Sequence, residues 1–207
     1  MLKKIHLVDL NYSTINLFPV PIHQFDVNGF SEIQNELINY AFNMRYKDPV
    51  GHIISNRHGW QSSCFSIDDK DDVLQSFLTN CLSNFPYLKK SVKLFVTAWI
   101  NINPPGAFNI KHNHPTSDLS GVLWLKCPEN CGSIEFDSPS NFAIHQEVEC
   151  YIDDFKNKNN VFQSYYFNPT EGRILVFPSH LNHHVKFNES QEDRISVSFN
   201  IRLSDEN

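Results

Sequence analysis

The 207-residue chain has no apolar run approaching the roughly 18 residues needed to cross a bilayer. Its opening stretch, Met1-Leu2-Lys3-Lys4-Ile5-His6-Leu7-Val8-Asp9, carries two lysines but no long apolar segment behind them, so no secretory leader is expected. Charge is also sparse. Only 19% of residues are charged and the net charge is −6. A global attraction to nucleic acid or to an anionic membrane is therefore not indicated. Repeats, low-complexity tracts and an interdomain linker are missing too. This predicts one domain over 1–207, with a helical N-terminal part to about residue 89 and a β core over about 90–203. The five cysteines, Cys64, Cys81, Cys127, Cys131 and Cys150, are odd in number and scattered. That pattern reads as free thiols in a cytoplasmic protein. Cys127 and Cys131 have finger-like spacing, but no second Cys/His pair follows at finger distance, so structural zinc is disfavoured.

What the chain does have is apolar and aromatic. Hydrophobic residues make up 41% and 17 residues are Phe, which suits a β-rich core. Residues 18–27 read as an edge strand with prolines near its start. Ser31-Glu32-Ile33-Gln34 resembles a capping box, and Ile33, Leu37, Ile38, Ala41 and Phe42 continue a helix to about Met44. A second helix is marked by Val73, Leu74, Phe77, Leu78, Cys81, Leu82 and Phe85, with Asp71 and Asp72 at its N-terminus and Pro86 closing it. Period two then takes over. Val92, Leu94, Val96, Ala98 and Ile100 alternate with Lys93, Phe95, Thr97, Trp99 and Asn101, and the C-terminal end is apolar on both faces. Further strands are predicted at 107–113, 119–126, 132–137, 161–167, 172–178, 183–187 and 193–202. Residues 138–160 read as an irregular insertion or lid. The expected fold is mainly β with flanking helices: a double-stranded β-helix, or jelly-roll barrel.

Two histidine clusters flank this β region: His112-Asn113-His114, and His180 with His183-His184. Imidazole suits borderline metals such as Fe, Zn, Ni and Cu. An HxH pair on a strand puts both rings on one face, because strand side chains alternate. Val185 is apolar and expected inward, which places His183 inward and His184 outward. His183 then completes a three-histidine site. Arg194 and Ser196 share a face of the last strand, where they could clamp a carboxylate. Taken singly, each residue has a plainer reading: surface or core histidines, and an arginine on a solvated face paired with Glu192 or Asp193.

Together the motifs resemble the 2-oxoglutarate/Fe(II) oxygenase superfamily. The residues that carry the likeness are His112-Asn113-His114-Pro115, Leu119-Ser120-Gly121-Val122, Phe177-Pro178-Ser179, His183-His184-Val185 and Arg194-Ile195-Ser196-Val197-Ser198-Phe199-Asn200. More narrowly, the chain is similar to a poorly characterised branch from marine bacteria and phages. The likeness continues upstream in Leu17-Phe18-Pro19-Val20-Pro21, Asn56, Gly59-Trp60-Gln61-Ser62 and Trp99-Ile100-Asn101. The resemblance implies a dioxygenase that binds Fe(II) and 2-oxoglutarate and consumes O2. His112, His114 and His183 would be the metal ligands. Arg194 would hold the distal carboxylate of 2-oxoglutarate, assisted by Ser196. Trp99 and Asn101 share one strand face and, with Trp124, could line the co-substrate pocket. One departure matters: His114 stands where the superfamily usually has a carboxylate, and three neutral imidazoles leave the site one negative charge poorer. Asp118 is an alternative second ligand.

The runner-up reading is a cupin-like metal protein without 2-oxoglutarate, in which Arg194 and Ser196 have no required role. A metal-free barrel comes third. Trp60, Trp99 and Trp124 read more simply as core or pocket-wall aromatics, His145 and His180 as histidines that could contact substrate, and Glu135 and Asp137 as solvated. The prime substrate is left open among a protein side chain, an amino acid, a modified base and a small metabolite. A homodimer is also left open.

Overall fold

The computed structural model describes residues 12–83, 85–140 and 147–205. In chain order the elements are β1 (His23–Asp26), α1 (Phe30–Lys47), β2 (Asn56–Arg57), β3 (Trp60–Gln61), β4 (Phe65–Ser66), α2 (Val73–Leu82), β5 (Val92–Asn103) and β6 (Phe108–His112). They continue with β7 (Leu119–Lys126), β8 (Ile134–Asp137), α3 (Glu147–Cys150), α4 (Asp153–Asn159), β9 (Ser164–Phe167), β10 (Arg173–Pro178), β11 (His183–Val185) and β12 (Arg194–Asp205). The strands form two antiparallel sheets. The major sheet runs β1-β10-β7-β12-β5-β3, with β4 also on β5; the minor sheet runs β2-β6-β11-β8-β9. This is the mainly β, double-stranded β-helix architecture expected from the sequence.

Strand alternation divides the major sheet into two faces. One face carries Val96, Ala98, Ile100 and Ile102 of β5, Leu123 and Leu125 of β7, Ile174 and Val176 of β10, and Ile195, Val197, Phe199 and Ile201 of β12. These pack with Leu37 and Ala41 of α1 and Leu74, Leu78 and Leu82 of α2. Each large aliphatic side chain buried there contributes roughly 1.5–3 kcal/mol. The opposite face meets the minor sheet through a smaller apolar cluster that includes Val122, Trp124, Phe136, Leu175 and Phe177. On β5 and β12 that inward face turns polar, with Asn101, Asn103, Arg194 and Ser196 all buried. The helices thus stabilise the sheet from outside and leave its inner face free for a site.

Several local expectations need correction. The edge strand covers only His23–Asp26 of the predicted 18–27, because Pro19 and Pro21 supply no N–H to a ladder. Ser31 does not cap α1: the N-cap is Gly29, with φ 69°, and no side chain caps that end. Instead Glu32 N donates to Gly29 O. The helix also runs on to Lys47, past Met44. α2 does start beyond an acidic cap, where Asp72 accepts from Gln75 N, but it stops at Leu82 rather than reaching Pro86. The segment predicted as an irregular insertion contains α3 and α4, and Asn160 at φ 53° ends α4.

Candidate metal and co-substrate site

β6 and β11 pair in the minor sheet with His183 directly opposite His112. His114 follows two residues after His112, on the same side, and its backbone N–H donates to Ser179 O at 2.9 Å. The three rings converge. Centroid separations are 5.0 Å for His112–His114, 4.4 Å for His112–His183 and 5.3 Å for His114–His183. One ligand nitrogen from each ring lies within 4.8 Å of the others. Both strand pairing and the HxH period are needed to bring these nitrogens together.

Two rings are oriented by their own backbone. His112 Nδ1 is 2.7 Å from Ile110 O, and His183 Nδ1 is 2.9 Å from Leu181 O. A nitrogen facing a carbonyl must carry the hydrogen, so Nε2 of each ring keeps its lone pair for a metal. Burial disfavours the charged imidazolium. It lowers the pKa of His112 against the opposing Ile110 carbonyl. Burial, with the neighbouring His112 adding, holds His114 down to about 4. The same two effects lead for His183, at about 3. All three rings are therefore neutral at neutral pH, the form in which an imidazole can ligate a metal.

Next to the imidazoles lies a pocket lined by inward residues of β5, β7 and β12. The strand register builds it: Arg194 faces Asn103, Ser196 faces Asn101, and Ser198 faces Trp99. On the other side of β12, Ser196 pairs with Trp124. Arg194 is 2% exposed. Its Nη1 donates to the carbonyls of Cys131, Gly132 and Lys186, and its Nη2 is buried without a hydrogen-bond partner. Burial pulls its pKa down to about 10, which still leaves it cationic at neutral pH. Gly132, at φ 90°, forms the turn above this guanidinium. A Cβ there would strike Lys186 O, Phe187 O and Arg194 Nη1.

The donor set fits Fe(II) and 2-oxoglutarate. Three imidazoles suit a borderline divalent metal. Among the described residues, Nη2 is a charged donor without an acceptor, in a pocket whose lining contains no carboxylate. A buried cation in that state calls for an anionic partner.

The other sequence candidates fall outside this centre. Asp118 is spent on the backbone: its carboxylate accepts from Leu203 N at 2.7 Å. His184 turns to the far side of β11, 4.0 Å from Glu135 Oε2. Glu135 is not simply solvated, because it also pairs with Lys186 at 2.9 Å. Asp137 similarly pairs with Lys111 at 2.7 Å. His180 is exposed, and His145 lies outside the described residues. Trp99 lines the pocket, whereas Trp60 belongs to the outer core and donates to Asp48 O. Sequence reasoning gave no role to Asn200, Ser120 and Ser179. Asn200 Nδ2 lies 3.5 Å from His114 Nδ1, and Ser120 and Ser179 stand behind it. Ser120 and Asn200 lie on β7 and β12 and Ser179 in the turn after β10, so no local sequence pattern marks them as a group.

Several solved structures share this fold. Among solved structures, a Pseudomonas putida prolyl-4-hydroxylase is 16% identical with a TM-score of 0.59, covering 88% of this chain and 92% of that one. A prolyl hydroxylase from Trichoplax adhaerens, solved with a hypoxia inducible factor peptide, is 12% identical with a TM-score of 0.56, covering 87% and 83%. HygX from Streptomyces hygroscopicus, solved with nickel and 2-oxoglutarate, is 10% identical with a TM-score of 0.52, covering 88% and 82%. At these identities the likeness is one of fold. No curated protein matches the sequence. Residues 97–200, which run from within β5 to within β12 and include the three histidines, Arg194 and Asn200, match the family described as "Putative 2OG-Fe(II) oxygenase". The chain belongs to this family of Fe(II)- and 2-oxoglutarate-dependent oxygenases.

Proposed function

We propose that His112, His114 and His183 hold Fe(II), that Arg194 and Ser196 grip the distal carboxylate of 2-oxoglutarate, and that the enzyme hydroxylates its prime substrate. The observation that carries this reading is the unpartnered Nη2 of buried Arg194 in the same pocket as three converging imidazoles. Metal and co-substrate, when bound, supply oxidative decarboxylation of 2-oxoglutarate to succinate and CO2, coupled to insertion of one oxygen atom of O2 into a substrate C–H bond.

The chain's own residues do the rest. His112, His114 and His183 would hold the metal through neutral imidazole nitrogens, three donors that leave coordination positions for co-substrate and O2. Arg194 is held by three backbone carbonyls, so its free Nη2 is aimed before the ligand arrives. Asn101 and Trp124, on either side of Ser196, wall the pocket at the end that takes the distal carboxylate. Fe(II) and Arg194 together would bring three positive charges, with no carboxylate among the described lining residues to oppose them. A dianionic co-substrate offsets two of these, which favours 2-oxoglutarate over a monoanion.

The prime substrate stays at the level of a C–H-bearing molecule that can reach the metal. No described helix is long and apolar enough to cross a membrane. The five free cysteines fit a reducing compartment, the cytoplasm in this reading. The test is a turnover assay with Fe(II), O2 and 2-oxoglutarate. Slow succinate release without prime substrate is expected, lost on omission of Fe(II) or in His112→Ala. Iron-loaded protein that releases no succinate under O2 overturns the reading.

A further inference from the structure

The three imidazoles are not held alike. His112 and His183 each place Nδ1 on the carbonyl two residues earlier, Ile110 O and Leu181 O. For His114 the carbonyl two residues earlier belongs to His112, and its Nδ1 instead meets a side chain, Asn200 Nδ2, at 3.5 Å. Asn200 sits inward on β12, directly opposite Ser120 of β7. Its Oδ1 accepts from Ser120 Oγ at 2.7 Å, and Ser120 Oγ is 2.8 Å from Ser179 Oγ. Both serines are 1% exposed. Ser179 also accepts the backbone N–H of His114. The fourth residue of this buried relay, His114, is therefore tied to it at two points.

The amide can face His114 in two ways. With Nδ2 toward the ring, Nδ1 must accept, the ring hydrogen moves to Nε2, and Nε2 has no lone pair for a metal. With Oδ1 toward the ring, Nδ1–H donates and Nε2 is free to ligate. The serine relay accommodates either state. Hydroxyls rotate, so Ser120 can accept from Nδ2 while donating to Ser179.

We propose that Asn200 is the positioning residue for the third ligand: on metal binding its amide turns, Oδ1 takes the Nδ1–H of His114, and Ser120 and Ser179 reverse to follow it. This rests on the three-histidine reading above. It makes Asn200 the side-chain substitute for the backbone carbonyls that orient His112 and His183, and outer hydrogen-bond partners of this kind set ligand tautomer and affinity.

The test measures Co(II) and Zn(II) affinity of wild-type, Asn200→Ala, Asn200→Leu and Asn200→Asp proteins by anaerobic competition with a chromophoric chelator. Thermal unfolding of each apoprotein runs alongside. Asn200→Ala and Asn200→Leu are expected to weaken both metals by about tenfold or more. Asn200→Asp keeps an acceptor facing Nδ1 and is expected to match or exceed wild type. In zinc-loaded wild-type protein, 15N-labelled histidine should report hydrogen on Nδ1 of His114. A general loss of structure would lower the unfolding temperature of every variant and would not spare Asn200→Asp. Unchanged affinity in Asn200→Ala and Asn200→Leu, or hydrogen on Nε2 of His114 in the zinc form, overturns the role of Asn200 and leaves the three-histidine site standing. Wild-type protein that binds neither metal overturns the site itself.

Discussion

His183 stands in register opposite His112 across the β11–β6 pair, with ring centroids 4.4 Å apart. The pairing shifts register immediately after it, before Val185 meets Asn109. Two candidate ligands on separate strands are thus fixed by one rung of the minor sheet, and a slip of one residue would turn His183 away and bring His184 in.

Loss of either ring should therefore cost the metal. His112→Ala and His183→Ala are expected to weaken Fe(II) or Co(II) binding by more than roughly a hundredfold, beyond the loss typical of outer partners. His184→Ala should leave affinity near wild type, since that ring faces Glu135 on the other side. Anaerobic metal titration of the three variants checks this; strong loss in His184→Ala alone would assign the wrong face.

At His114 the expected sign is reversed. His114→Asp restores a carboxylate to the donor set and should retain or tighten Fe(II) binding, while His114→Ala weakens it. Affinity that is unchanged in both variants would mean that His114 is not a ligand.

Arg194→Gln removes the charged donor while leaving all three imidazoles. Truncating one side of a buried charged pair costs about 2–5 kcal/mol, so 2-oxoglutarate should bind at least roughly thirtyfold more weakly, with metal affinity unchanged. Gly132→Ala should act the same way by displacing the guanidinium from beneath its turn. Calorimetric titration of metal-loaded protein with 2-oxoglutarate measures both.

Metal-free protein should lose stability as the pH falls. His114 and His183 are held at about 4 and about 3 in the folded chain, against 6.5 when unfolded. Between about pH 6.5 and pH 4 the unfolded state therefore binds more protons, and stability rises with pH through that window. Each histidine contributes about 1.4 kcal/mol per pH unit there. From pH 6.5 to pH 5, His114→Asn should lose about 2 kcal/mol less than wild type in urea titrations. Equal losses would show that the folded His114 titrates normally.

Much of this was legible in the residues themselves. β7 occupies the predicted 119–126, because Leu-Ser-Gly-Val-Leu-Trp-Leu-Lys is apolar on both faces and both faces are buried. The inward placement of His183 followed from Val185 sharing its side. Local chemistry misled where tertiary contacts intervened. Ser31 has a capping sequence, yet the chain enters α1 through Gly29 in a left-handed conformation. Gly172, at φ 75°, packs so closely on Phe30 that a Cβ would strike the ring, which fixes where that helix starts. The relay behind His114 was not legible at all. Its members, Ser120, Ser179 and Asn200, are widely separated in sequence and meet only when β7, β12 and the turn after β10 come together.

The most direct test of the account is anaerobic titration of Fe(II)-loaded protein with 2-oxoglutarate, read by the visible charge-transfer absorbance of the metal chelate. The account predicts a saturable band in wild type, absent in His183→Ala and reached only at much higher 2-oxoglutarate in Arg194→Gln. Iron-loaded wild-type protein that develops no band and retains no 2-oxoglutarate would contradict it.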